Sequence, residues 1–304
     1  MHVFVTGATG FVGTAVVPEL LAAGHVVVGL ARSSESATAL ASVGAQVVEA
    51  SLSDLDAVRV AARAADGVIH LAFRHTDPYD QALESDRQLI QTVGDALTGT
   101  HRPFVVTSGT LVLPPGRLAV ETDPPGGASP AAARAASERL ALSYVDRGVR
   151  VVVARLAPSV HDRAKSGFVG ALVDLAVEAG FSGFVGDGSQ RWPAVNRQDA
   201  ARLFRLAIEG APAGSILHGV GEQGVALRAV AAAIGAGLSV PVRSVPQTNA
   251  QAHFGWLAAT VGVDAPASSE ATRALLGWEP KHLGLLDDLE HGEFFTLSEG
   301  TDGP

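Results

Sequence analysis

The segment Thr6-Gly7-Ala8-Thr9-Gly10-Phe11-Val12-Gly13 constrains this chain more than any other. It follows an apolar run, His2-Val3-Phe4-Val5, that reads as a buried strand. It opens an Ala/Leu-rich stretch, residues 11–23, that reads as a helix ending at Gly24. Glycines at this spacing have a physical use. The first lets the chain turn sharply, the second lets the backbone approach a pyrophosphate, and the third lets helix and strand pack closely. Unpaired N–H groups at the helix N-terminus then face the phosphates. Gly7, Gly10 and Gly13 are therefore expected to cradle a dinucleotide, since strand, turn and helix come in the required order.

The same rhythm continues through the first half. Apolar runs at 26–30, 45–49, 68–71, 104–107 and 150–155 read as strands, and the stretches 34–43, 54–65, 79–98 and 129–147 as helices. The strands do not alternate polar with apolar, which marks them as buried on both faces. The expected fold is α/β, a Rossmann doubly wound parallel sheet. After about residue 158 the pattern loosens. Helices are expected near 166–180, 199–210, 224–235 and 249–262, with strands near 183–186, 215–219 and 241–245. The expected organisation is a dinucleotide-binding domain over 1–158 and a smaller substrate lobe over 159–299, partly interleaved with the sheet. Residues 300–304 read as a flexible tail.

Composition removes several classes. The net charge is −9 and no Lys/Arg-rich run occurs, which argues against nucleic acid or an anionic membrane as partner. No apolar run approaches the ~20 residues of a membrane helix, and no basic segment followed by an apolar core marks a leader. The chain has no cysteine, so disulfides, thiolate catalysis and thiolate metal sites are excluded. Its ten histidines lack ligand spacing, and no metal is expected. A cytoplasmic setting fits these features. Lysine occurs only at Lys165 and Lys281, a bias that looks like a high-GC, bacterial-type genome.

The end of the second strand selects the cofactor. An acidic residue there would bind a ribose 2′-hydroxyl, whereas an arginine would accept a 2′-phosphate. This chain has Ala31-Arg32-Ser33-Ser34, so Arg32 with Ser33 favours NADP over NAD.

The glycine-rich segment resembles the signature of the extended short-chain dehydrogenase/reductases, the NAD-dependent epimerase/dehydratase group. Further landmarks resemble that family in order: residues 66–73, residues 104–110, the segment Gly186 to Ala200, and Leu276-Gly277-Trp278-Glu279-Pro280. The resemblance implies that Thr9, Phe11 and Val12 join the glycines around the pyrophosphate. It also implies that Ser51 and Leu52 lie beside the adenine, that Leu71, Ala72 and Phe73 line the nicotinamide ribose, and that Pro158 flanks the nicotinamide ring. A homodimer is the family's implied assembly.

The family's chemistry rests on a Ser/Thr and a Tyr-x-x-x-Lys pair, and here the chain departs. Aligning Glu138 with the family's glutamate puts Pro130 in the tyrosine position and Arg134 in the lysine position. The serine position falls on Gly109, between Ser108 and Thr110. Arg134 can hold ribose hydroxyls but cannot serve as an acid, because its pKa lies above ~12. Ser108 and Thr110 are candidates to hydrogen-bond a carbonyl, and His161, just after the sixth strand, is the candidate proton donor. His75 and Tyr79 are second candidates for that role and, with Trp192, for substrate contact. Asp199 is expected to cap the helix that it begins. The leading functional expectation is an NADP-dependent oxidoreductase reducing a small-molecule carbonyl, C=C or C=N bond. A sugar-nucleotide epimerase or dehydratase with transient cofactor redox, and a non-catalytic NADP-sensing protein, are the alternatives.

Overall fold

The computed structural model describes residues 1–74, 77–126 and 130–295. Its chain runs β1 (His2–Thr6), α1 (Gly13–Ala22), β2 (Val26–Ala31), α2 (Ser34–Ser42), β3 (Gln46–Glu49), α3 (Leu55–Ala64), β4 (Gly67–His70), α4 (Tyr79–Leu97) and β5 (Pro103–Gly109). It continues with α5 (Ala135–Leu142), β6 (Arg150–Leu156), β7 (Ser159–His161), α6 (Gly167–Ala179), β8 (Ser182–Val185), β9 (Arg191–Asn196), α7 (Arg197–Gly210), β10 (Ser215–Gly219), β11 (Glu222–Ala226) and α8 (Leu227–Leu238). The last elements are β12 (Val242–Val245), α9 (Ala250–Phe254), α10 (Ala258–Val261), α11 (Glu270–Leu276) and α12 (Leu285–His291).

A seven-stranded parallel sheet, ordered β10-β6-β5-β4-β1-β2-β3, forms the centre. Its strands are apolar on both faces because both are covered. Val3 and Val5 of β1 point with Ile69, Val105 and Ala154 toward Val16, Leu20, Phe204 and Ile208 of α1 and α7. Phe4 points the other way, with Val68, Phe104 and Val106, toward Val58, Leu89, Val93 and Ala141 of α3, α4 and α5. Each such side chain contributes on the order of 1.5–3 kcal/mol by burial. The strand order reverses between β1 and β4, so a crevice opens at their carboxyl ends, where such sheets bind ligands.

The later chain builds a second lobe on two small sheets, β11-β9-β7 and β12-β8. Val169, Val173, Val185, Trp192, Ile234 and Phe254 share its core. The lobe is not a simple appendage, since α7 and β10 return to the central sheet.

Three local expectations change. The helix expected over 129–147 is a tight turn at Pro130–Arg134 followed by α5, which unwinds through Tyr144 N–H to Ala141 and Val145 N–H to Leu142 bonds. Residues 224–226, expected to begin a helix, belong instead to β11, because that segment pairs with β9. The helix expected over 249–262 breaks at Gly255, whose φ is +53°. The proposed tail, 300–304, lies outside the described residues.

A buried ion pair pins α5 to β6. Arg155 donates from Nε to Glu138 Oε1 at 3.0 Å and from its terminal nitrogen to Oε2 at 2.8 Å, both side chains being almost wholly buried. Glu138→Ala would leave that guanidinium charged and unpaired. It should cost roughly 3–5 kcal/mol in urea denaturation, whereas a loss typical of a surface pair, under about 1 kcal/mol, would contradict the assignment.

Candidate active site

The glycine-rich turn joins β1 to α1 at the crevice. Gly7 has φ +71°, and a Cβ there would lie 2.7 Å from the backbone nitrogen of Ala72. At Gly13 a Cβ would lie 2.1 Å from the carbonyl oxygen of Gly7. The Gly10 N–H closes the turn on that carbonyl at 3.0 Å. Thr9 and Gly10 are exposed, and Phe11 and Val12 are half-buried at the start of α1. Beyond the bonded Gly10 N–H, the exposed part of this turn leaves room at the N-terminus of α1, which suits a pyrophosphate.

Arg197, not anticipated from sequence, lies against the same turn. Its guanidinium sits 4.7 Å from the centre of the Phe11 ring, donates to the Phe11 carbonyl at 3.3 Å and pairs with Asp162. No motif marks it; only the fold brings the start of α7 onto residues 11–14.

Arg32 is exposed at the end of β2 and makes no ion pair among the described residues. Ser33 caps α2, its Oγ accepting the Ser36 N–H at 3.2 Å. Leu52 lines a cleft with His70, Ala72, Phe73, Arg74, Ser85 and Asp86, while the Ser51 hydroxyl bonds to that of Ser53 at 2.7 Å.

On the other side of the crevice, Arg134 gathers the ends of β4 and β5. It donates to the Thr107 carbonyl at 3.0 Å, its guanidinium carbon lies 4.2 Å from the Phe73 ring centre, and it is 3.9 Å from Asp86. Asp86 belongs to a buried chain. Its Oδ1 accepts from His70 Nε2 at 3.2 Å, and His70 Nδ1 is bonded to Thr6 Oγ1 at 2.7 Å. Burial pushes the Asp86 carboxyl up, but the hydrogen bond and charge of His70 and the charge of Arg134 outweigh it and hold the group below its ordinary value. Neither His70 nor Asp86 was anticipated, as a lone histidine in an apolar strand and a lone aspartate in a helix carry no spacing signal.

Several buried polar atoms in this region have no partner among the described residues: Ser108 Oγ, Thr110 Oγ1 and Arg134 Nε. Buried polar atoms are normally satisfied, so this set suits a polar ligand, as a nicotinamide ribose and a substrate hydroxyl would provide. The residues present thus fit a dinucleotide. Tyr79 begins α4 with its ring 6.0 Å from that of Phe73, and Pro158 lies in the link between β6 and β7.

Other candidates fall elsewhere. His161 is buried on β7, bonded through Nδ1 to Asp288 of α12 at 2.7 Å, with Glu222 3.9 Å from its Nε2. None of its bonds reaches Ser108, Thr110 or Arg134. Trp192 is buried in the second lobe, 5.8 Å from the Phe168 ring, and its Nε1 lacks a partner. His75 lies outside the described residues. Asn196, not Asp199, caps α7; Asp199 instead accepts the backbone N–H groups of Lys281 and His282, each at 3.0 Å. No cluster of His, Asp or Glu that could hold a metal occurs among the described residues.

This fold and crevice define a Rossmann-type dinucleotide-binding protein. The sequence profile described as the NAD dependent epimerase/dehydratase family matches residues 3–217, and the chain belongs to that family. It is 45% identical over 292 residues to "Uncharacterized protein YLL056C" of Saccharomyces cerevisiae, covering 95% of this chain and 98% of that protein. It is 42% identical over 298 residues to "Uncharacterized protein C2A9.02" of Schizosaccharomyces pombe, covering 97% and 100%. Among solved structures, it resembles a DesIV double mutant, a dTDP-glucose 4,6-dehydratase from Streptomyces venezuelae with NAD and DAU bound. The TM-score is 0.79 at 20% identity, over 99% of this chain and 98% of that one. MoeE5 in complex with UDP-glucuronic acid and NAD gives 0.77 at 22%, over 97% and 99%.

These findings overturn the expected NADP and, with it, the NADPH-consuming reductase. Six similar solved structures, the DesIV and MoeE5 complexes among them, carry NAD. The local reason is legible too: the Ser33 hydroxyl that was to help bind a 2′-phosphate is occupied in capping α2. Among the described residues, no helix is long and apolar enough to cross a membrane.

Two outcomes are expected. Gly7→Ala forces a Cβ into a left-handed backbone against Ala72, and strain of about 1–3 kcal/mol should weaken dinucleotide binding tenfold or more by calorimetry. Unchanged affinity would exclude the cradle. Because the folded pKa of Asp86 is lowered, its carboxylate stabilises the fold above the ordinary value near 3.9, and that contribution disappears as pH falls through the folded value. Asp86→Asn should flatten this acid limb in denaturation measured across pH. An unaltered limb would remove Asp86 as its source.

Proposed function

We propose that this protein holds NAD across the β1/β4 crevice and uses it transiently on a hydroxyl of a sugar nucleotide, as an epimerase or dehydratase does. The observation that carries this reading is the group of unpartnered buried atoms of Ser108, Thr110 and Arg134 across the crevice from an intact glycine cradle. The fold likeness to NAD-bound sugar-nucleotide enzymes over nearly the whole chain supports it.

Gly7, Thr9, Gly10, Phe11, Val12 and Gly13 would hold the pyrophosphate. Leu52, with Ser51, would flank the adenine, and Arg32 would lie at the adenosine ribose. Leu71, Ala72, Phe73 and Pro158 would border the nicotinamide end. When bound, NAD supplies a hydride acceptor there. Arg134 holds ribose hydroxyls through its unpartnered Nε–H and places a permanent positive charge where a substrate oxygen loses its proton. Ser108 and Thr110 orient that oxygen by hydrogen bonds. His161 and Trp192 would act from the lobe over 159–299, shaping rather than performing the chemistry. A cytoplasmic homodimer is the setting that the cysteine-free sequence and the family likeness support.

Pro130 and Gly109, in place of the family's tyrosine and serine, favour one second reading: an NAD-binding protein without turnover. One experiment separates the two. The purified chain is loaded with NAD and mixed with UDP-glucose, UDP-glucuronic acid or dTDP-glucose. The near-ultraviolet absorbance of reduced nicotinamide is followed, and products are separated by chromatography. Transient reduction with an altered sugar is expected. NAD binding with no reduction by any of these would leave the second reading, and failure to bind NAD would overturn both.

A further inference from the structure

The chain has two tyrosines, and the structure separates their roles. Tyr144 is buried between α4 and α5, its single O–H shared between the Gln91 carbonyl at 3.2 Å and Asp95 Oδ1 at 3.0 Å. Its ring fills the space left by Gly94, where a Cβ would lie 2.6 Å from it. That phenol is tied into the core. Tyr79, by contrast, stands 39% exposed at the start of α4, and its hydroxyl has no hydrogen-bond partner among the described residues.

Its position is specific. The Tyr79 ring packs at 57° to that of Phe73, with centres 6.0 Å apart. Phe73 in turn carries the Arg134 guanidinium at 4.2 Å. Arg134 reaches the Thr107 carbonyl at the end of β5, next to the unpartnered hydroxyls of Ser108 and Thr110. The row Tyr79–Phe73–Arg134 thus places a free phenol, a flat spacer and a permanent cation along one edge of the crevice. A planar guanidinium suits this row, because it can stack on an aromatic face and still donate in its plane.

We propose that Tyr79 Oη is the proton carrier of this site, entering from α4 in place of the tyrosine position occupied by Pro130. The proposal rests on the reading of the protein as an NAD-dependent sugar-nucleotide enzyme. In the oxidising direction the substrate O–H bond breaks and its proton moves to the Tyr79 phenolate oxygen. The hydrogen on the adjacent carbon leaves with its electron pair to the dinucleotide. In the reducing direction the phenol returns its proton to the oxygen. Burial holds the Tyr79 phenol above its ordinary value; Arg134 draws it down, Asp86 and Asp80 push it up again, and the balance stays raised. Arg134 thus limits the rise and favours the phenolate form, although it cannot itself exchange a proton.

The test uses the full chain, with and without NAD, as wild type, Tyr79→Phe, Tyr144→Phe and Arg134→Met. Tyrosinate absorbance is first titrated against pH, the Tyr79→Phe curve being subtracted from the others. Arg134→Met should move the Tyr79 midpoint upward by about one unit or more. Mixing with the same three sugar nucleotides then reads turnover. Tyr79→Phe should slow nicotinamide reduction about 100-fold or more with unchanged NAD affinity, and Tyr144→Phe should not. A Tyr79 midpoint indifferent to Arg134, or a wild-type rate in Tyr79→Phe, overturns the proposal. If NAD-loaded wild type is reduced by none of the three, the sugar-nucleotide reading fails, and the titration alone decides whether Arg134 tunes Tyr79.

Discussion

The contact between Gly7 and the backbone of Ala72 governs the rest of this molecule. Thr6 pairs with His70 in parallel register, and one residue later the two chains diverge, one into the glycine turn and the other toward Phe73. A side chain at residue 7 would strike the Ala72 nitrogen, so only glycine lets β1 and β4 stay side by side up to their ends. That closeness creates the crevice and brings Phe73 to its edge. Gly13 imposes the matching constraint below, holding α1 against the turn.

The crevice is chemically asymmetric. On the glycine side the protein presents mostly backbone donors. On the opposite side it presents side chains: Arg134, Ser108, Thr110 and, beneath them, the Thr6–His70–Asp86 chain. Asp86 matters because a buried guanidinium needs a nearby anion. Asp86 and the Thr107 carbonyl hold Arg134 in place. Its guanidinium presents the positive charge as a plane rather than a point. A plane requires a flat partner, and Phe73 supplies it.

The second lobe is joined to the cofactor side by charge as well as packing. Arg197, at the start of α7, holds Asp162 on one side and the Phe11 carbonyl and ring on the other. The buried His161–Asp288 pair, supported by the Asn196 amide at 3.1 Å from Asp288, ties β7 and β9 to α12. Asp199 fastens the segment after Trp278, whose indole N–H donates to the Asp199 carbonyl at 2.9 Å. These links fasten the second lobe to the helices and strands of the central sheet.

The sequence by itself determined the doubly wound sheet and the family. Both are written in local pattern: uninterrupted apolar strands, and glycines at fixed spacing between a strand and a helix. What it did not determine was carried by residues far apart in the chain. The end of the second lobe's β11, residues 224–226, reads as helix until β9 pairs with it. Arg32 and Ser33 read as a phosphate site until Ser33 is seen capping α2. His161 reads as a loop donor until Asp288, from the last helix, is found beside it. The Asp86–His70 chain and the Tyr79–Phe73–Arg134 row carry no spacing at all. Only tertiary structure decides such contacts, because a side chain's partners are set by which strands and helices become neighbours, not by the residues beside it in the chain.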